Sequence, residues 1–173
     1  RRHTRYGTVT GVQTCALPIS GELTILYIDG DACPVKDEVF KVAGRYGLKV
    51  VVVGNAWLRL PQDPLLSMVV VPEGPDAADD RIVELIEAGD ICITNDIPLG
   101  GRCLAKRALA IRPNGKEFTE AAIGDALATR ELMNALRETG AITGGPAPFA
   151  KQDRSRFLSA LDTLVHRARR MKA

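Results

Sequence analysis

Histidine is almost missing from this sequence: its 173 residues hold two, His3 and His166. His3 lies in an N-terminal stretch set apart below, and His166 lies in a basic run near the C-terminus, so no histidine base is indicated. Long apolar runs are missing as well. The longest, residues 50–53 with Leu48 before it, has the length of a strand and falls far short of the ~20 residues that span a bilayer. A membrane partner is not expected. Cysteine is scarce, and the four present (Cys15, Cys33, Cys92 and Cys103) show no paired zinc-ligand spacing. Cys92 sits inside an apolar run, where a reduced, buried thiol is the default. A reducing cytoplasm and no structural zinc are therefore expected.

An excess of one charge is also lacking. Lys and Arg number 23 against 21 Asp and Glu, a formal charge of +2. That is too little to declare a polyanion as partner, so only the distribution of charge can argue for one. What is present is ordinary for a soluble globule: 46% apolar and 25% charged residues in a length that usually makes one domain.

Residues 1–20 do not fit the remainder. They lack an initiator Met and clear periodicity, and their apolar stretch is too weak for a secretory signal. Residues 9–19 resemble translated adapter sequence. Residues 1–20 are thus read as a non-native or disordered leader, and residues 21–173 as a single domain.

From Leu23 the pattern becomes regular. Residues 24–28 form a short β-rich run ending in Asp29-Gly30-Asp31, which reads as a buried strand and a turn. Pro34 suits the first turn of a helix. Val35, Val39, Val42, Ala43 and Tyr46 then form one helical stripe ending at Gly47. Strands are expected at 48–53, 67–71, 91–94 and 108–112. Helices are expected from Asp76 through the stripe Ile82, Val83, Leu85 and Ile86, and over 97–107, 119–139 and 151–170. Asn114-Gly115 is a strong hairpin signal. Residues 140–150, with Gly144-Gly145-Pro146, read as a hinge. They lack the Lys-Ser/Thr ending of a phosphate-cradling loop. Strands alternating with helices predict an α/β fold with a mainly parallel central sheet flanked by helices, followed by two C-terminal helices.

In such sheets the ligand crevice lies beyond the carboxyl ends of the strands. Asp29 and Asp31 follow the first strand, Asp96 follows the fourth, and Asp76, Asp79 and Asp80 follow the third. Parallel neighbouring strands would deliver these acids to one edge. Crowded carboxylates repel, and a cation removes that cost. Hard oxygen ligands suit Mg²⁺ or Mn²⁺. Asp79 shares a face with Ile82, Val83 and Ile86, so it should point inward, whereas Asp80 lies with Glu84 and Glu87 toward solvent. A second reading stands beside each acid. Asp76, Asp79 and Asp96 suit helix starts, and Asp29-Gly30 suits a turn.

Other candidates carry the same double reading. Asn55, Thr94 and Asn95 end strands and could orient a ligand, or could hydrogen-bond a turn or cap. Lys36 could contact a phosphate or be a solvated lysine. Trp57, the only tryptophan, could stack a base with Arg59 pairing a phosphate. A tryptophan in a Pro-rich loop more often anchors that loop by packing. The last helix, with Arg154, Arg156, Arg167, Arg169, Arg170 and Lys172, could face a polyanion or be an ordinary charged helix.

With these motifs in view, residues 23–170 resemble the bacterial YaiI/YqxD family. The stretches that carry the resemblance are Asp29-Gly-Asp-Ala-Cys-Pro34, Gly54-Asn-Ala-Trp-Leu-Arg-Leu-Pro61, Gly74-Pro-Asp-Ala-Ala-Asp79, Ala88-Gly-Asp-Ile-Cys-Ile-Thr-Asn-Asp-Ile-Pro-Leu99 and Thr143-Gly-Gly-Pro146. Gly30 departs mildly, standing where many relatives are expected to have Ala, and residues 1–20 have no counterpart. The resemblance implies a PIN-like fold, in which acids after the first and fourth strands and on an intervening helix hold Mg²⁺ or Mn²⁺. Carried over, it implies Asp29, Asp79 and Asp96 as the core of the site, with Asp31 and Asp76 nearby.

Three functions follow as expectations. The first is a metal-dependent nuclease, acting on RNA before DNA, with Asp29, Asp79 and Asp96 as ligands, Asp76 beside them and Asp31 positioning water. The second is a non-catalytic module binding a cation together with nucleotide or RNA. The third is a phosphatase of the haloacid-dehalogenase type, with Asp29 as nucleophile and Asp31 as general acid. That third class needs a later lysine and an acidic pair beyond one strand end, whereas Asp90 and Asp96 bracket the fourth strand.

Overall fold

A computed structural model of the chain describes residues 23–30, 33–140 and 149–173. The expected leader at 1–20, Asp31 and most of the 140–150 hinge lie outside the described residues. Five strands run through the described chain: β1 (Ile25–Asp29), β2 (Lys49–Gly54), β3 (Leu66–Val70), β4 (Ile91–Ile93) and β5 (Leu109–Ile111). Five helices accompany them: α1 (Lys36–Tyr46), α2 (Ala77–Leu85), α3 (Ile97–Ala105), α4 (Glu120–Glu138) and α5 (Lys151–Lys172). The strands form one sheet in the order β3-β2-β1-β4-β5, and every pairing is parallel.

The period of two along β1 builds both cores. Leu26 and Ile28 face α1 and α5, packing with Val39, Val50, Val52, Phe157 and Leu161. Tyr27 faces the opposite way, onto the layer of α2 and α3, where Ile82, Ile86, Leu99 and Cys103 gather around Cys92 and Ala110. Each of these buried aliphatic chains contributes roughly 1.5–3 kcal/mol by leaving water. The expected α1 stripe holds, since Val39, Val42 and Ala43 are buried and Gly47 ends the helix at φ 65°.

Chain order fixes where the crevice falls. After β1 the chain builds β2 and β3 on one side, then returns through α2 to place β4 against the other side of β1. The reversal leaves a gap above the carboxyl ends of β1 and β4, the position where open α/β sheets bind ligands. The β2–β3 link, residues 55–65, is a parallel crossover without a helix. It lays Leu58 and Leu60 on the α1 side of the core.

One expectation is corrected, and one double reading is narrowed. Asn114-Gly115 does make a tight turn, with Gly115 at φ 85° and Arg112 N–H bonded to the Lys116 carbonyl at 2.8 Å. The hairpin stops at a single antiparallel bridge, Ile111 with Glu117. Phe118 then buries itself in the core and Thr119 caps α4, its hydroxyl accepting the Ala122 N–H, so no return strand forms. The basic surface of α5 is also largely spent within the fold. Arg154 pairs with Glu38 at 3.0 Å, Arg167 with Glu117 and Lys172 with Asp90 at 2.7 Å, while Arg169 lies over the Tyr46 ring. No helix among the described residues is long and apolar enough to cross a membrane.

Candidate metal centre at the sheet edge

Asp29 is the last residue of β1, and Thr94 follows β4 immediately beside it. The buried Thr94 hydroxyl donates to Asp29 Oδ2 at 3.3 Å and accepts the Asp96 N–H at 3.0 Å. Asp96 in turn caps α3, its Oδ1 accepting the Leu99 N–H at 2.9 Å with Pro98 in the first turn. The cap reading of Asp96 therefore holds, and it fixes one carboxylate oxygen. Asp96 does not line the cleft shared by Asp29, Asp76 and Asp79, although its charge is felt at Asp79.

Asp79 enters from the first turn of α2. As its helical position predicts, it is half-buried, while Asp80 points to solvent and pairs with Arg102 at 2.8 Å. The Asp79 carboxyl is pushed up to about 6. Burial is the main cause, followed by the charges of Asp96, Asp29 and Asp76, with Arg102 partly opposing them. That ordering ties acids from three chain segments to one point. Beneath the edge the buried Cys92 thiol is pushed up, chiefly by its hydrogen bond with Cys103 and by burial, with Asp29 and Asp79 adding to it.

Asp76 occupies the N-cap position of α2 but makes no side-chain cap bond. Its backbone sits at φ 61°, in the left-handed region, which costs a non-glycine residue about 1 kcal/mol or more. The cap reading thus fails for Asp76, and its exposed carboxylate stands at the rim. A cleft of about 140 Å³ lies between these segments, lined by Asp29, Asn55, Gly74, Asp76 and Asp79. At ~30 Å³ per water, that is room for a small ion and a few ligand waters.

The donor chemistry fits a hard cation, being carboxylate oxygen with an amide beside it. Among the described residues, no three His, Cys, Asp or Glu side chains form a ready-made ligand set. Asp29, Asp79 and Asp96 form an electrostatic group whose side chains have to turn inward to share one ion.

The remaining candidates are dispersed. Asn55 lines the acidic cleft, and Asn95 is exposed beside Asp96. Trp57 does not anchor its loop by packing, because it is 74% exposed. With Arg59 it lines a separate hollow beside β3, and Lys36 shares another with Arg59 and Phe40. Gly30 sits close beneath β2, donating its N–H to the Val53 carbonyl at 2.7 Å. A Cβ there would lie 3.0 Å from that oxygen. Sequence reasoning missed Arg102, which reaches Asp80 from α3 and tempers the charge at Asp79. Its sequence signal is that of a basic residue in the last turn of α3.

The parallel sheet, its order and the helices on both faces define a PIN-like α/β protein. The chain belongs to the family described as "Uncharacterized BCR, YaiI/YqxD family", whose model matches residues 27–167. It is similar to a UPF0178 protein of Paramagnetospirillum magneticum, at 80% identity over 149 residues, covering 86% of this chain and 99% of that one. It is also similar to a UPF0178 protein of Gluconobacter oxydans, at 58% identity over 152 residues, 88% of this chain and 87% of the other. A UPF0178 protein of a Caulobacter strain is 54% identical over 149 residues, 86% of this chain and 99% of its own. No solved structure matches the chain.

Proposed function

We infer that this protein is a divalent-cation-dependent nuclease of the cytoplasm, with single-stranded RNA as the favoured substrate. The observation that carries the reading is the cleft that Asp29, Asp76 and Asp79 line together, with Asp96 joined to Asp29 through Thr94. There the Asp79 carboxyl is raised to about 6, by burial first and then by Asp96 and Asp29. A group perturbed in this way inside a crevice is a frequent mark of function, and a cation relieves the repulsion that causes it. Asp29, Asp79 and Asp96 would hold Mg²⁺ or Mn²⁺, with Asp76 at the rim. When bound, the cation supplies electrophilic polarisation of a phosphodiester and a lowered pKa for water.

The chain's own residues do the rest. Thr94 holds Asp29 by its hydroxyl, and the α3 cap holds Asp96, so each of these two acids has one oxygen anchored while its carboxylate turns toward a shared ion. Asn55, on the cleft wall, donates its amide to a phosphate oxygen. Asp31, one residue beyond Gly30, is assigned to positioning the attacking water. No histidine is required. The phosphatase alternative loses its acidic pair, because Asp90 lies at the opposite edge of the sheet. There it accepts the Ile25 and Glu87 N–H groups and pairs with Lys172.

A regulatory module that binds a cation without turnover uses the same acids. It is favoured by the structural duties that Asp96 and Asp29 already carry. Cleavage of single-stranded RNA in Mn²⁺ or Mg²⁺, compared with an Asp29→Asn/Asp96→Asn variant, separates the two. Metal-dependent cleavage lost in the variant supports the nuclease. Metal-dependent stabilisation with no cleavage supports the module and defeats the nuclease.

A further inference from the structure

On the β5 side of the acids the sheet edge opens into a second, larger cavity of about 540 Å³, between α4 and the turn after β5. It adjoins the acidic edge through the backbone. Ile97, next in the chain after Asp96, lines it, and Arg112 follows Ile111, whose carbonyl accepts the Thr94 N–H at 3.1 Å. The wall carries three cations, Arg112, Lys116 and Arg130. None has an ion-pair partner among the described residues. Of the two acids on the wall, Glu117 is taken by Arg167, which leaves Asp125 against three positive charges. Arg112 is held in place, its guanidinium lying 4.8 Å over the Phe118 ring.

The rest of the wall is apolar. Ala122, Ala126 and Met133 come from α4, a helix with no fully buried residue, so this face stays open to a visitor. The volume falls in the range of small-molecule sites. An apolar wall beside three cations without ion-pair partners matches a base carrying a phosphate. A base enters such a cavity only when unstacked, so a duplex is a poor fit.

We propose that this cavity binds one unpaired nucleotide of a single-stranded nucleic acid, with its base against Ile97, Ala126 and Met133 and its phosphate on Arg112, Lys116 and Arg130. Its direction along the strand, toward Asp96, rests on the nuclease reading. Occupancy of the cavity does not. The site makes unpaired strand, rather than duplex, the substrate class of the neighbouring acids.

The test is calorimetric titration of the full chain in EDTA with uridine and adenosine 5′-monophosphates, with uridine and inorganic phosphate as partial probes, and with hexauridylate as the strand. Saturable mononucleotide binding is expected. It should weaken on the order of tenfold in Arg112→Ala/Arg130→Ala and measurably in Arg130→Ala alone, with each partial probe about tenfold weaker. The single variant lies on an exposed helix surface, so loss of fold does not confuse it. Hexauridylate is expected to displace the mononucleotide. No saturation, affinity unchanged in both variants, or inorganic phosphate binding as well as the nucleotide would each overturn the site. Failure of hexauridylate to compete would overturn its assignment to a strand. Because the titration needs neither cation nor carboxylates, absent cleavage defeats only the nuclease, and absent binding defeats only this cavity.

Discussion

Thr94 joins the two halves of the acidic edge, donating to Asp29 Oδ2 at 3.3 Å while accepting the Asp96 N–H at 3.0 Å. It sits at the switch between β1 and β4, so one buried hydroxyl sets the approach of acids that are 67 residues apart in sequence. Thr94→Val keeps the shape and removes the hydroxyl. It should cost about 1–3 kcal/mol through the Asp96 N–H left unsatisfied, and lower Mn²⁺ affinity on the order of tenfold. Thr94→Ser should retain most of both. Urea midpoints and Mn²⁺ titrations of the two variants check this, and equal behaviour of Val and Ser would count against it.

Asp79 gives a signed pH dependence. Its folded carboxyl titrates at about 6, above the ordinary aspartate value of 3.8. Between those values the folded state keeps a proton that the unfolded state releases, so this group's contribution to metal-free stability falls as pH rises from about 4 to about 6. Asp79→Asn should therefore be more stable than wild type at pH 7–8 in EDTA, with the gain fading toward pH 4. Thermal melts across that range decide the point. A variant destabilised at pH 8 contradicts it.

At the opposite edge, Lys172 Nζ lies 2.7 Å from Asp90 Oδ1, a pair whose side chains are only 8% and 1% exposed. Its stem packs over Gly89, where a Cβ would strike Lys172 Cγ at 2.7 Å. Lys172→Met keeps the stem and strands the buried carboxylate, which should cost about 3–5 kcal/mol. Denaturant unfolding measures it, and a loss under ~1 kcal/mol would show that the pair behaves like a surface one.

Trp57, as the only tryptophan, reports on its own loop. At 74% exposure its fluorescence should be quenched by acrylamide nearly as readily in the native as in the unfolded chain. Trp57→Ala should change stability by no more than about 0.5 kcal/mol. Strong protection from quencher would restore the packing reading of this residue.

Much of this edge is legible in the sequence because it rests on local rules. An apolar β-rich run followed by aspartate marks Asp29 and Asp96, and the 3.6-residue period separates the inward Asp79 from the solvated Asp80. What the sequence hides is set by distant partners. The order of strands, which places Thr94 beside Asp29, depends on how α2 returns across the sheet. The Asn114-Gly115 signal is real, but Phe118 finds more burial in the core than a return strand offers. The basic run of α5 looks free in sequence because Glu38, Glu117 and Asp90, which pair with it, come from three other segments.

The most direct test of the proposed metal centre is Mn²⁺ binding itself, followed by the electron-paramagnetic signal of the free ion at pH 7.5, for wild type and for Asp79→Asn and Asp29→Asn/Asp96→Asn. The account predicts saturable binding in wild type that weakens as pH falls below about 6, as Asp79 takes up its proton, with at least tenfold loss in each variant. Binding that is absent in wild type, or equal in all three proteins, would contradict it.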